Sequence, residues 1–172
     1  SHKEGFIHQG DKVVAYDPAG QGKDNNAVMY ADGNIIKLID EWLKSADLRE
    51  ATNTAYDRVT EFDADKFVYD TCGGLGDGVS VFGVAIAKEE SRVVFPFDAG
   101  GAVVYPDKKI PGTDKTWNER CSNAKAQAHM VSAQKLYNTY RFVVLHEKDI
   151  DPDDMISIDI EDDAVFNKLV KE

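Results

Sequence analysis

A short apolar run that ends in an acid and a proline constrains this chain more than any other feature. Residues 13–16, VVAY, have the apolar, β-branched and aromatic character of a buried strand. Asp17 follows, and Pro18 then ends strand pairing because proline has no N–H to donate. The pattern predicts a strand that carries a carboxylate at its end. An ordinary Asp-Pro turn fits the same residues, since both favour turns.

The next elements repeat this arrangement. Apolar runs at residues 27–30 and 35–42 predict two more strands, and the Asp32-Gly33 pair between them is a hairpin signal. A helix capped by Ser45 is predicted next, because apolar residues then recur every three or four positions up to Phe62. A fourth strand over residues 66–70 again ends in an acid, Asp70.

Strands and helices alternate in the second half of the chain. The predicted elements are a glycine-rich turn (73–78), a largely apolar helix (79–90), an edge strand containing Pro96 (92–97), a long loop (98–117), one long helix (118–142) and a short helix (163–170). The turn follows a strand and opens a helix, so it suits either contact with a phosphate or close helix–sheet packing. It matches neither the dinucleotide-binding nor the P-loop pattern.

This order predicts a mixed sheet with helices on its faces. A right-handed crossover then places the fourth strand beside the first, with Asp17 and Asp70 at neighbouring strand ends, ~5 Å apart. Such carboxylates repel each other unless a cation lies between them, and Mg²⁺ and Mn²⁺ prefer oxygen ligands. We therefore expect Asp17 to bridge two ions and Asp70 to hold one, unless both acids only bind loop N–H groups.

Other charged residues near these motifs have two interpretations each. Asp24 either joins the metal ligands or forms the turn, and Lys23 either reaches a phosphate or is solvated. Lys108 and Lys109, in the long loop, are candidates for contact with DNA. They begin a basic stretch that continues with Lys115, Arg120 and Lys125. The acidic segment 149–154 lacks the glycine and terminal glutamate spacing of a calcium loop.

Composition narrows the class of protein. The 172 residues suffice for one domain, and the net charge of −11 argues against strong non-specific binding to nucleic acid. No apolar run approaches the ~20 residues of a membrane span, and the polar start SHKEGF predicts no signal peptide. Ser1-His2 is interpreted as a tag remnant. Two distant cysteines, Cys72 and Cys121, favour neither zinc nor a disulfide framework and suggest a reducing, intracellular setting.

Three segments of the chain resemble the C-terminal nuclease domain of the large subunit of tailed-phage terminases, the DNA-packaging motors. They are VVAYDPAGQGKDNNAVMY (13–30), FVYDTCGGLGDGV (67–79) and NAKAQAHMVSAQKLY (123–137), in the order found in the family. Each motif is weak alone, whereas the ordered set over nearly the whole chain is specific.

The resemblance implies a ribonuclease-H-like α/β fold, a mixed β-sheet flanked by helices. It implies a metal-dependent endonuclease that cleaves concatemeric viral double-stranded DNA during genome packaging, using two Mg²⁺ or Mn²⁺ ions. Asp17 matches the first-strand acid of the family, Asp70 the fourth-strand acid, and Asp24 a recurrent position of less certain role. Implied partners are the terminase small subunit and the portal protein. The implied location is the host cytoplasm rather than the mature virion.

Two departures from the family are expected to matter. Residues 1–172 are interpreted as a single nuclease domain without the packaging ATPase. The third acid of the family usually lies in a segment beyond the last helix, which this sequence does not reach, so the third ligand is missing, disordered or truncated. The resemblance therefore leaves open whether residues 1–172 bind metal and are active without that ligand.

Three other classes of protein remain open. One is another ribonuclease-H-like nuclease of the junction resolvase or transposase type, which would prefer branched DNA. Another is an actin-like or sugar-kinase fragment, which would be stabilised by Mg-ATP. The third is a non-catalytic docking module of the packaging motor, which would bind no metal.

Overall fold

The structure is a computed structural model that describes residues 9–19, 24–43, 47–71, 79 and 92–160. Its strands are β1 (Lys12–Asp17), β2 (Asn26–Asp32), β3 (Ile35–Trp42), β4 (Lys66–Asp70), β5 (Val93–Phe97) and β6 (Ser157–Ile158). Its described helices are α1 (Leu48–Glu61), α2 (Trp117–Arg120) and α3 (Ala124–Val143), with a 3₁₀ turn at Pro152–Asp154. No described helix has the length and apolar character needed to cross a membrane.

The described strands form one mixed sheet in the order β5-β4-β1-β2-β3-β6. Strands β1, β2 and β3 are antiparallel neighbours, whereas β4 pairs parallel to β1 and β5 parallel to β4. The predicted placement of the fourth strand beside the first is therefore confirmed. Strand β5 lies at an edge of the described sheet, as Pro96 predicted. An edge strand tolerates proline because its outer side needs no N–H donor.

Alternation along the strands places the core on one face of the sheet. Val14 and Tyr16 of β1 point toward α1, as do Phe67 and Tyr69 of β4, and all four are at most 2% exposed. Phe67 stacks on Tyr16 and Tyr69, with each pair of ring centroids 6.2 Å apart. Tyr56 of α1 meets the Phe67 ring edge-on at 5.6 Å. This aromatic layer fixes β1 against β4.

Two helix predictions need correction. Helix α1 begins at Leu48 with Asp47 as its N-cap, because the Asp47 carboxylate accepts a hydrogen bond from the backbone N–H of Arg49. Ser45 lies outside the described residues. The single helix predicted over 118–142 is two helices, since Cys121 is extended and Asn123 caps a new helix. Periodicity alone missed this break because apolar spacing continues across it.

Several predicted elements lie outside the described residues, and the structure has one strand that was not predicted. Cys72, the glycine-rich turn and the helix at 163–170 lie outside the described residues, as does the helix at 79–90 apart from Val79, which is helical and buried. Strand β6 was not predicted. Its two residues pair parallel to β3, and such a short strand carries no periodic signal.

A buried amide fixes the chain where β1 ends. Asn26, the first residue of β2, is 1% exposed, and its Oδ1 accepts hydrogen bonds from the Tyr16 hydroxyl (2.9 Å) and the Ala19 backbone N–H (3.0 Å). These two donors flank Asp17 and Pro18 in sequence. Because a backbone N–H can only donate, the amide oxygen must face Ala19. Asn26 therefore bridges the strand and the turn on either side of Asp17.

The hydroxyl in this bridge stays protonated at physiological pH. Burial raises the pKa of Tyr16 to about 12, against the opposing effect of a side-chain hydrogen bond with Thr52 of α1. A neutral phenol can donate to Asn26, whereas a phenolate cannot. The bridge is therefore stable to changes in pH near neutrality.

We predict that Asn26→Ala lowers the free energy of unfolding by about 2–4 kcal/mol, because two donors lose their buried acceptor. Urea unfolding of the metal-free protein measures this loss. Asn25→Ala is the matched control, since Asn25 is exposed and should contribute almost nothing. Similar losses in both variants would contradict the bridging role of Asn26.

Candidate metal centre

The two strand-end acids lie together. Tyr16 of β1 pairs with Tyr69 of β4 in parallel register, so the next residues, Asp17 and Asp70, leave neighbouring strands at the same edge of the sheet. Adjacent strands are about 4.8 Å apart, which brings both carboxylates within reach of one cation. The predicted placement of this pair is therefore confirmed. Its role as a metal site stays a prediction.

The charges around Asp17 do not balance. Loss of water around its carboxyl raises the pKa of Asp17, and the negative charges of Asp70 and Asp24 raise it further. The positive charge of Lys125 acts in the opposite direction. Asp17 is nevertheless an exposed residue, so solvent reaches the group. A divalent cation would relieve this repulsion, and carboxylate oxygens are the ligands that Mg²⁺ and Mn²⁺ prefer.

The remaining predicted ligand contributes less. Asp24 is exposed two residues before β2, near enough for its charge to act on Asp17. Lys23 lies outside the described residues. Within the described ranges, no three side chains of His, Cys, Asp or Glu form a group that could hold a metal ion. Among the described residues, the candidate site therefore consists of the Asp17 and Asp70 carboxylates, and Asp24 contributes its charge from nearby.

A tight turn brings helix α3 to this edge. Strand β5 ends at Phe97, opposite Asp70, and Asp98 then accepts a hydrogen bond from the Gly100 backbone N–H. A Cβ at Gly101 would lie only 2.9 Å from the Asp98 carboxylate, so this position favours glycine. The turn ends with its backbone carbonyls facing the start of α3.

The start of α3 is bound to this turn through its backbone. The N–H of Ala124 donates to the Gly101 carbonyl (2.9 Å), and that of Lys125 donates to the Ala99 carbonyl (3.0 Å). The Asn123 side chain caps the helix by accepting from Ala126. These bonds hold Lys125 where its charge acts on Asp17.

Sequence reasoning missed Lys125 as a site residue. It placed Lys125 only in a basic stretch, although the residue belongs to the Asn123–Gln127 segment that carries the family resemblance. In that segment Asn123 caps the helix, and Gln127 holds both backbone groups of Val104, at 2.7 and 2.8 Å. Lys125 forms no ion pair within 4 Å among the described residues, so its charge is available to a ligand.

The other predicted lysines lie apart from the acids. Lys108 and Lys109 are exposed in the loop before α2, and the Lys109 ammonium lies 3.7 Å from Asp114 of the same loop. The backbone of Lys108 accepts from Trp117, and Lys109 bridges to Thr116. The structure shows no contact between either lysine and Asp17.

We predict that Asp17→Asn stabilises the metal-free protein at pH 7 and not near pH 3. The raised pKa means that folding favours the protonated carboxyl. That stabilising contribution is complete below the ordinary pKa of aspartate, and it is lost as the pH rises through the folded-state pKa. Urea unfolding in a chelator at both pH values tests this. Asp57→Asn, an exposed position on α1, is the control, and an equal gain in both variants at pH 7 would refute the prediction.

Several solved structures are similar to this chain in fold and in sequence. No family model and no curated protein matches the chain. A lysine-to-alanine mutant of the nuclease domain of the large terminase subunit gp2 of bacterial virus Sf6, with manganese and β-thujaplicinol, has a TM-score of 0.87 and 28% identity. The match covers 97% of this chain and 72% of that one.

Two further structures of the same nuclease domain agree with this match. One has a TM-score of 0.81 and 29% identity over 90% of this chain and 66% of that chain. The other, a mutant with calcium, has a TM-score of 0.85 and 28% identity over 97% and 72%. The mixed sheet flanked by helices is thus the ribonuclease-H-like fold of these domains. In fold and in sequence, the chain is similar to the nuclease domain of the large terminase subunit of bacterial virus Sf6.

Proposed function

We propose that the chain is the metal-dependent endonuclease domain of a phage terminase large subunit and cleaves concatemeric viral double-stranded DNA during packaging. One observation carries the proposal. Asp17 and Asp70 leave neighbouring parallel strands side by side in a chain with the fold of a terminase nuclease domain. Paired carboxylates at the end of a rigid sheet suit phosphodiester hydrolysis assisted by metal ions.

In this proposal Asp17 and Asp70 hold Mg²⁺ or Mn²⁺, and Asp24 completes the ligand set from the side. Two ions bound there would supply an activated water and stabilise the leaving oxygen of the phosphodiester. The carboxylates themselves must be ionised to bind. Because the pKa of Asp17 is raised, protons compete with the metal as the pH falls, and affinity should fall earlier than at an ordinary aspartate pair.

Positive charge is needed to bring DNA to an acidic domain. Lys125 is the described cation whose charge acts on the site, so we assign it to a phosphate beside the scissile bond. Lys108 and Lys109 would meet the DNA backbone further out, and Lys23, the residue before Asp24 in the sequence, is a further candidate. Each contact would steady the DNA without reading its sequence.

The wider setting is also a proposal. We assign residues 1–172 to one nuclease domain of a phage terminase large subunit. The terminase small subunit and the portal protein would be its partners in the motor, in the cytoplasm of the host cell. The name of the Sf6 protein, a large terminase subunit, supports this setting.

A non-catalytic docking module is the second candidate. The observation that favours it is the lack of a three-residue metal-binding group among the described residues. Such a module would keep the fold and bind neither Mn²⁺ nor Mg²⁺.

We predict that supercoiled plasmid is nicked in Mn²⁺ and that Asp17→Asn and Asp70→Asn each reduce the rate by about a hundredfold or more, because each removes a metal ligand. Mn²⁺ should also raise the melting temperature of the unaltered chain more than that of Asp17→Asn. Asp57→Asn serves as the control. Absence of both nicking and Mn²⁺ binding, even in a version extended to carry a further acidic segment, would favour the docking module.

We predict that Lys125→Gln weakens binding to plasmid DNA and raises KM more than it lowers kcat, because it removes a phosphate contact and leaves the metal ligands in place. Lys148→Gln, at an exposed position C-terminal to α3, is the matched control. The double change Lys108→Glu and Lys109→Glu should also slow cutting. Unaltered cutting in that double variant would remove the long loop from the DNA-binding surface.

A further inference from the structure

A groove lies along α3 between Met130 and Arg141, away from the helix start that carries Lys125. Its volume is about 440 Å³, and its apolar walls come from Ile110 of the loop before α2, Trp117 of α2, Met130 and Val131 of α3, and Ile150. This size is within the usual range of ligand pockets. It exceeds what a single side chain fills, so its occupant is an extended group or several side chains.

The polar rim of this groove is acidic. Asp149, Asp151 and Asp154 line it, and the carboxylates of Asp149 and Asp154 form no hydrogen bond or ion pair with other described residues. The two cations on the rim are already engaged. The Lys135 ammonium donates to the Asp153 carbonyl (2.6 Å), and the Arg141 guanidinium pairs with Glu147 (2.6 Å). Glu147 neutralises Arg141, whereas a carbonyl leaves the charge of Lys135 in place. Three carboxylates against this one ammonium give the groove a net negative charge.

An exposed aromatic patch continues from the groove along α3. Tyr137 and Tyr140 are 55% and 48% exposed, and their rings stack with centroids 6.3 Å apart. Leu136 and Val144, on the same side of the helix, are 45% and 51% exposed. Eight of the twenty residues of α3 are exposed, among them Leu136, Tyr137 and Tyr140. Adjoining exposed apolar residues with aromatic side chains are typical of protein interfaces.

We infer that the groove and the aromatic patch together form a docking surface for a partner protein that inserts a basic segment with apolar anchors. Arginine or lysine stems would lie on Trp117 and Ile150, with their charged ends at Asp149 and Asp154. The patch would cover the apolar residues that flank them. The acidic rim repels the phosphates of DNA and attracts a basic segment. A second copy of this chain is the competing occupant, which sedimentation of the free chain tests.

The experiment is a selection of displayed random twelve-residue peptides on the whole chain, followed by fluorescence anisotropy with the selected sequences. We expect sequences rich in Arg or Lys with Leu or aromatic residues. Their affinity should fall about tenfold in the double variant Asp149→Asn and Asp154→Asn, because two charge pairs are lost. Tyr137→Ser should weaken binding independently of salt. The double variant Asp57→Asn and Asp159→Asn, and the site variant Asp17→Asn, should bind as the unaltered chain does.

Three results would overturn the inference. One is the selection of acidic or uncharged peptides. Another is affinity that is the same in the rim double variant and in its control, both checked for an unchanged melting temperature. The third is dimerisation of the free chain in sedimentation experiments that Tyr137→Ser abolishes, which would assign the patch to a second copy. None of these results depends on nuclease activity, so the docking surface and the metal centre are tested separately.

Discussion

The end of strand β1 depends on one buried amide. Asn26 accepts from Tyr16 on one side of Asp17 and from Ala19 on the other, so it joins the last core residue of the strand to the turn that follows. The aromatic layer of Tyr16, Phe67 and Tyr69 then fixes this strand against β4. Core packing and the two hydrogen bonds of Asn26 thereby set the position of the backbone that carries the Asp17 carboxylate.

This rigidity keeps like charges together. Asp17 and Asp70 leave adjacent strands, and their repulsion, with that of Asp24, raises the pKa of Asp17. A free chain would separate these groups, whereas strands held in register cannot move apart. The core thus sustains an arrangement that is unfavourable without a cation, and Lys125 offsets part of it. The repulsion between these carboxylates lowers the stability of the metal-free protein, and a bound cation would relieve it.

Sequence reasoning succeeded where a pattern has a local physical cause. The hairpin at Asp32-Gly33, the edge position given by Pro96 and the pairing of the two strands ending in Asp17 and Asp70 were all predicted. It failed where the signal is nonlocal or brief. The break at Cys121 follows from caps at Thr116 and Asn123 that compete with a continuing apolar period. Strand β6 is too short for any period to be read.

The sequence by itself determined the order of strands β1 to β5, the acids at two strand ends and the resemblance of three ordered segments to a nuclease family. These follow from local properties: side-chain alternation, the missing proline N–H and residue types at fixed spacing. Only the tertiary structure decided that the charge of Lys125 acts on Asp17 and that Asn26 joins the strand to the turn by two hydrogen bonds. Both depend on contacts between segments that are separated along the chain. Such contacts arise from packing and backbone hydrogen bonds at Ala99 and Gly101, which leave no periodic trace in the sequence.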